Sequence, residues 1–362
     1  MKLHQHGGNI NYYATRLGIP KYQLLDFSAN INPLGYPPGL EAALMGDLSS
    51  ILNYPDPDYT ELKTIIAKYF VSSTKNIILG NGAIEIIYLI FHSLRPKKII
   101  IPIPTFSEYH RAAEACNVSV ETALLEENQD WDLPVDAIVK QLPGADMLFI
   151  CNPNNPTGNK FSLDKLLYLS KKCAEANVLL IVDESFLLFT EAENGASLSN
   201  YVNDNDKILV ISSLTKILGI PGLRFGFALG NENLINQIRK YQGPWPVNSM
   251  AEIAVKIGLN NHDYINESKA YIIKEKEFMY KELSQIRGIE PFYPQANFIL
   301  CKIINPQITA KSLLKEASFK GILIRDCSNF SGLSEKYFRV AVKQHDDNCQ
   351  LIATLKKILT KE

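Results

Sequence analysis

No two cysteines of this chain stand in a CxxC pair or in another metal-ligand spacing. The six (Cys116, Cys151, Cys173, Cys301, Cys327 and Cys349) are scattered, so structural thiols in a reducing compartment are expected and a metal site is not. A basic surplus is also lacking. With 37 lysines and arginines against 38 aspartates and glutamates, the formal net charge is −1. Nothing in that balance suggests a nucleic-acid partner or an acidic binding tail. No apolar run is long enough to span a bilayer, and the start, MKLHQHGGNINYYATRLG, has no signal-peptide core. A cytoplasmic protein without membrane contact is the expectation. Internal repeats and low-complexity segments are absent too.

What the chain does have is ordinary globular material. Its 362 residues are 46% hydrophobic and 21% charged, enough for a large core and about two domains. Between about residues 76 and 230, short apolar runs alternate with helical patterns. KIIIP (98–102), DMLFIC (146–151), NVLLIV (177–182) and KILVIS (207–212) read as buried strands of a parallel sheet covered on both faces. Amphipathic stretches lie between them, for example Ser162 to Ala176 with Ser162 as N-cap. That alternation predicts an α/β core with right-handed crossovers. Residues 263–287 then read as one long helix with Ile265, Ile272, Met279, Leu283 and Ile286 on one face and Gly288 as its stop. NFILCKI (297–303), GILIRDC (321–327) and YFRVAV (337–342) look like strands around a helix near 309–319. The expected division is an N-terminal arm over 1–45, a large α/β domain over 46–245, and the long helix with a small α+β unit over 246–362.

The run from Ile211 to Gly226, ISSLTKILGIPGLRFG, places Ser213, Lys216 and Arg224 in one short segment broken by three glycines. A carbonyl cofactor such as pyridoxal phosphate (PLP) needs a lysine for its imine, with a hydroxyl and a guanidinium for its phosphate. By itself the segment could also be an ordinary glycine-bearing loop. Gly80-Asn81-Gly82-Ala83 opens a helical pattern, which suits a phosphate cradle of backbone N–H groups but equally a plain helix start. CNPNNPTG (151–158) follows a strand, and its asparagines can bond a ligand at the strand's carboxyl end. Asp183 and Glu184 end another apolar strand. A carboxylate there needs a cationic partner, such as a protonated pyridine nitrogen, unless it merely caps the next helix. The set is more specific than any member.

On these motifs the chain resembles the fold type I, aspartate-aminotransferase-like PLP enzymes over nearly its whole length. The resemblance implies a large domain with a mostly parallel central sheet and a smaller α+β domain. It makes Lys216 the Schiff-base lysine and Asp183 the partner of the pyridine nitrogen. Asn155 would contact the ring oxygen, Phe106 would stack on the ring, and Ser213, Arg224 and the Gly82-Ala83 backbone would hold the phosphate. Tyr54, in NYPDPDY, would reach the phosphate of a neighbouring subunit, which implies a homodimer with shared active sites. Arg339 would bind a substrate carboxylate. One departure stands out: many members have a tyrosine three residues after the pyridine aspartate, where this chain has Phe186.

His6-Gly7-Gly8-Asn9, DFSANINPLG (26–35), DESF, LTKILGIPGLR and ILIRDC are similar to the threonine-phosphate decarboxylase family of cobalamin biosynthesis. That resemblance implies a small phosphorylated amino acid as substrate, with His6, Gly7, Asn30, Asn155, Arg325 and Arg339 around it. Alone, His6 would read as a solvated terminal histidine and Arg325 as a strand arginine paired to its neighbour. A phosphorylated amino acid has two anionic ends, however, and two forked arginines suit it. O-phosphoserine decarboxylation and a histidinol-phosphate-type aminotransferase are the alternatives at this stage.

Overall fold

A computed structural model describes residues 6–190 and 197–359, so the first five residues of the expected arm lie outside the described residues. At its centre, seven strands form one sheet in the spatial order Ile77–Gly80, Gly226–Gly230, Ile208–Ser212, Leu179–Asp183, Met147–Cys151, Lys98–Ile103, Ser119–Leu124. Only Gly226–Gly230 runs against its neighbours. The four expected strands are all present, and the continuous apolar runs have the predicted cause. Along Leu179–Asp183, Leu180 and Val182 enter one hydrophobic core while Ile181 enters another, one on each face. Ser162 caps the helix Leu163–Glu175 by accepting from the Lys165 amide, as expected.

In a parallel sheet the carboxyl ends share one edge, and here the register is tight. Cys151 lies beside Asp183, and Asp183 beside Ile211. The CNPNNPTG turn, Asp183 and the Lys216 segment therefore open onto the same rim.

The long helix runs His262–Ser284, and the five predicted apolar residues are buried. It stops before Gly288, whose φ of +93° instead turns the chain into the strand Ile289–Pro291. A four-stranded antiparallel sheet follows, ordered Arg325–Asp326, Tyr337–Ala341, Phe298–Ile303, Ile289–Pro291. Its register sets Arg325 directly opposite Arg339.

GILIRDC, expected as one strand, is two. Ile322–Leu323 pairs in parallel with Leu25–Asp26, whereas Arg325–Asp326 joins the antiparallel sheet. The run changes partner at Ile324, and an apolar pattern carries no information about which edge will bind it. The N-terminal region is thereby tied to the small sheet, and the Ala341 amide also donates to the Phe27 carbonyl (2.8 Å). Before that contact the region forms a helix, Ile10–Leu17, capped by Asn9, which the sequence reading passed over. Among the described residues no helix is long and apolar enough to cross a membrane.

Candidate active site

A cleft of about 450 Å³ opens where the carboxyl rim of the large sheet faces the small antiparallel sheet. Lys216 lies within it on a one-turn helix, Leu214–Ile217, that follows the strand ending at Ser212. Two polar ties fix that turn. Thr215 Oγ1 donates to the Phe225 carbonyl (2.8 Å) and accepts from the Phe225 amide (3.2 Å). On the other side, the Asn32 amide donates to the Lys216 carbonyl (3.0 Å), and Asn32 Nδ2 reaches the Ile217 carbonyl (2.7 Å). Burial pushes the Lys216 amine below its ordinary pKa, and the nearby Asp183 carboxylate opposes that fall. The ammonium stands 4.8 Å from the centre of the Phe186 ring, the position where related enzymes were expected to carry a hydroxyl.

Asp183 faces the same cleft. Its Oδ2 accepts from the Tyr109 hydroxyl (2.8 Å) and its Oδ1 from the Ser185 amide (2.9 Å). Its neighbour Glu184 turns away and accepts from Ser197 Oγ and from the Leu198 amide (2.9 Å). In CNPNNPTG the asparagines divide their work. Asn152 and Asn154 are spent on the turn, Asn154 holding Thr105, Thr157 and the Pro104 carbonyl, while Asn155 alone lines the cleft.

Pyridoxal phosphate fits these residues on the evidence of one corner. Gly82, at φ +82°, opens the helix Ala83–Leu94, and a Cβ on it would stand 2.6 Å from Arg224 Nη2. A Cβ on Gly226 would meet the Ala83 amide nitrogen at 2.2 Å. Glycines therefore press a guanidinium and a helix N-terminus together, and among the described residues Arg224 is in no ion pair. That corner is a seat for an anion such as a phosphate. Ser213 and Phe106 line the cleft beside it.

The facing wall carries Arg325 and Arg339, both buried. Arg339 donates to Asn155 Oδ1 and, through Nη2, to the Ser28 carbonyl (2.9 Å), while its Nε has no partner among the described residues. Arg325 donates to the Asp326 carbonyl and to Asn329 Oδ1 (2.7 Å). Burial lowers both guanidinium pKa values, that of Arg339 to about 10. Close by, Asn30 Oδ1 is buried without a partner among the described residues.

The arm completes the wall. Gly7 lies so close to the Ser28 carbonyl that a Cβ would approach its oxygen to 2.1 Å, and the Gly8 amide donates to Ser28 Oγ (2.8 Å). His6 Nε2 donates to Glu108 Oε1 (2.5 Å), with its ring centre 5.8 Å from that of Phe106. Burial pushes the Glu108 carboxyl up, but hydrogen bonds from His6 and Arg111 outweigh it and hold the group below its usual range. Of the predicted residues, Tyr54 is the one set apart from the cleft. It is 78% exposed and stacks on Trp245 with ring centres 4.3 Å apart.

Sequence reasoning passed over Tyr109, Thr215, Asn32, Ser28, Glu108 and Arg111. Tyr109 carried a usable signal, standing three residues and nearly one helical turn after Phe106. The others act through partners that are distant in sequence.

A mostly parallel sheet with a partly buried lysine and an aspartate at its carboxyl rim, faced by two buried arginines, defines an enzyme of the aminotransferase-like class. The chain belongs to the family of class I and II aminotransferases, whose model matches residues 22–355. Pyridoxal phosphate is the cofactor expected of that family. Among its relatives, the threonine-phosphate decarboxylase of Salmonella typhimurium is 36% identical over 98% of this chain and 96% of that protein. Two solved structures are also similar. The histidinol-phosphate aminotransferase from Clostridium acetobutylicum has a TM-score of 0.87 at 34% identity, over 92% of this chain and 99% of that one. L-threonine-O-3-phosphate decarboxylase from Porphyromonas gingivalis has a TM-score of 0.83 at 26% identity, with the same coverage.

Proposed function

We propose that this enzyme decarboxylates L-threonine O-3-phosphate to (R)-1-amino-2-propanol phosphate, with pyridoxal phosphate bound through Lys216, in cobalamin biosynthesis. The observation that carries the substrate class is the pair of opposed, buried arginines. Neither Arg325 nor Arg339 is in an ion pair among the described residues, and buried charges without counter-ions are costly. A ligand with a carboxylate and a phosphate supplies both.

The cofactor, when bound, supplies an electron sink for the pair released at Cα. Arg224, Ser213 and the Gly82-Ala83 backbone would hold its phosphate, Phe106 would cover its ring, and Asp183, oriented by Tyr109 and the Ser185 amide, would pair with its ring nitrogen. Arg339 and Asn155 hold the substrate carboxylate, while Arg325, with His6 and Asn30 nearby, holds the phosphate. Fixing both anionic ends sets the orientation of Cα in the cleft. The bond between Cα and the carboxylate held by Arg339 would break, carbon dioxide would leave, and a proton would take its place on Cα. Lys216, lowered in pKa by burial, would deliver that proton to Cα. Phe186, whose ring centre lies 4.8 Å from the lysine ammonium, offers no hydroxyl there.

The enzyme acts as a homodimer in this reading. Met45, Leu48, Ile51, Leu52 and Tyr54 form a run of exposed apolar side chains that supports a second copy docking there and bringing its Tyr54 to the neighbouring phosphate site.

Phosphorus NMR of the PLP-loaded protein with O-phosphothreonine and O-phosphoserine in competition, without a keto acid, tests the function. Appearance of aminopropanol phosphate ahead of ethanolamine phosphate is expected. No product there, with turnover of histidinol phosphate once 2-oxoglutarate is added, would overturn the assignment.

A further inference from the structure

Glu108 has no part in the chemistry described above, yet its carboxylate is buried at the mouth of the cleft and holds three donors. Arg111 Nη1 donates to Oε1 (2.7 Å), the Tyr88 hydroxyl to Oε2 (3.3 Å), and His6 Nε2 to Oε1 (2.5 Å). Arg111 and Tyr88 sit on helices of the large domain. His6 comes from the arm, 102 residues away in sequence. Resting on the proposed reaction, we propose that Glu108 is a positioning residue for the substrate's phosphate end, acting by docking His6 at the cleft.

Three features of the geometry support this role. First, a carboxylate that accepts from Nε2 fixes the orientation of the imidazole and leaves Nδ1 as the nitrogen free for a ligand. His6 lines the cleft together with Arg325 and Arg339, so an anionic substrate end lies within its range. Second, the arm is pinned on both sides of the cleft mouth. Glu108 holds His6 on the large domain. Gly8 holds Ser28 Oγ on the opposite side, and the Ser28 carbonyl accepts from Arg339. Third, Glu108 begins the helix Glu108–Ala115, two residues after Phe106 and directly before Tyr109, which donates to Asp183. One short rigid segment thus registers the arm against the residues that seat the cofactor ring. A phosphorylated side chain gains from that register, because its phosphate must be held at a fixed distance from Cα. An unphosphorylated amino acid has no group to reach His6.

The test compares Glu108→Gln, Glu108→Ala, His6→Ala and the double variant Glu108→Ala/His6→Ala in the PLP-loaded enzyme. For Glu108→Ala the KM for O-phosphothreonine should rise about tenfold while kcat changes less than about threefold, with Glu108→Gln intermediate. In the His6→Ala background, removing Glu108 should add nothing further, since both changes delete the same contact. Independent, multiplying effects would overturn the proposal, as would an unchanged KM. A second readout needs no substrate. Hydrogen exchange at the Gly7 to Asn9 amides should quicken about tenfold in Glu108→Ala, with the absorbance of the lysine-bound cofactor unchanged. Unaltered exchange would refute arm docking. If the wild-type enzyme released no carbon dioxide from O-phosphothreonine, the proposed reaction would fall, and the exchange result would decide on Glu108 by itself.

Discussion

Asp183 ends one strand of the large sheet and Lys216 follows the end of its neighbour, whereas His6, Asn30, Arg325 and Arg339 reach the same cleft from opposite ends of the chain. The first wall is rigid by construction. Its residues follow directly from strands that are buried on both faces, and Thr215 and Asn32 tie the lysine turn in place. In the second wall Arg325 and Arg339 stand on the small antiparallel sheet, whereas the N-terminal segment joins it through a bridge of two residue pairs, Leu25–Asp26 with Ile322–Leu323, and through an arm held by single hydrogen bonds. A cofactor seat must keep its geometry through every turnover, while a substrate wall must let ligand in and out. The contrast in construction matches that division of labour.

Predicted effects should therefore fall off from the first wall to the second. Lys216→Ala should lower turnover by on the order of 10⁴-fold or more and remove the absorbance band of the lysine-bound cofactor. Retained turnover would show that the rigid wall is not the reacting one. Asp183→Asn keeps the side chain's shape and removes its charge, so kcat should fall about 10²-fold or more. A stopped-flow comparison that found binding impaired and kcat intact would place Asp183 on the substrate side instead.

Across the cleft the losses should appear in KM. Arg325→Lys keeps a charge but loses the fork that holds two oxygens, and should raise KM for O-phosphothreonine about tenfold. Turnover of the unphosphorylated amino acid should be indifferent to the change. Equal losses on both substrates would move Arg325 away from the phosphate.

The same asymmetry governs what could be read from the sequence. That Lys216, Asp183, Asn155, Ala83 and Arg224 converge on one cleft was legible because each lies in a contiguous motif near a strand end, where chain direction brings them to one rim. The parallel strands were legible for the same reason, being long apolar runs. Glu108 was not, since a glutamate at a helix start looks solvated until a histidine arrives from the arm. Nor was the break in GILIRDC, because its two halves differ only in which edge accepts them. Asn32 was hidden among the residues of DFSANINPLG, where Asn30 drew the attention. Its role depends on the Lys216 and Ile217 carbonyls and on Tyr264 and Ser268, all far along the chain.

One steric insult applied to both walls should separate them. A methyl at Gly226 would stand 2.2 Å from the Ala83 amide nitrogen, between two elements that cannot part. Gly226→Ala should cost about 1–3 kcal/mol in denaturant unfolding and weaken cofactor retention. A methyl at Gly7 would stand 2.1 Å from the Ser28 carbonyl, but the arm can lift away. Gly7→Ala should leave the unfolding midpoint in place and raise KM about tenfold, as loss of the docked arm would. Loss of stability in both variants would mean that the arm is as integral as the sheet.

The smallest effect on activity is expected one residue from the largest group. Glu184 shares the strand end with Asp183 but points out of the cleft, and burial raises its carboxyl pKa from 4.5 to about 7. Between those two values the folded protein binds more protons at this site than the unfolded chain does, so stability falls as pH rises through that window. Below about pH 4.5 the group is protonated in both states and contributes no slope. Glu184→Gln supplies a neutral acceptor for the Leu198 amide at every pH. Its unfolding free energy should therefore decline less steeply than the wild type's between about pH 5 and 7. The pH profile of kcat should be unmoved, because Asp183, not Glu184, lines the cleft. A profile that shifted with Glu184→Gln would couple the two carboxylates through the strand end and extend the rigid wall beyond the cleft.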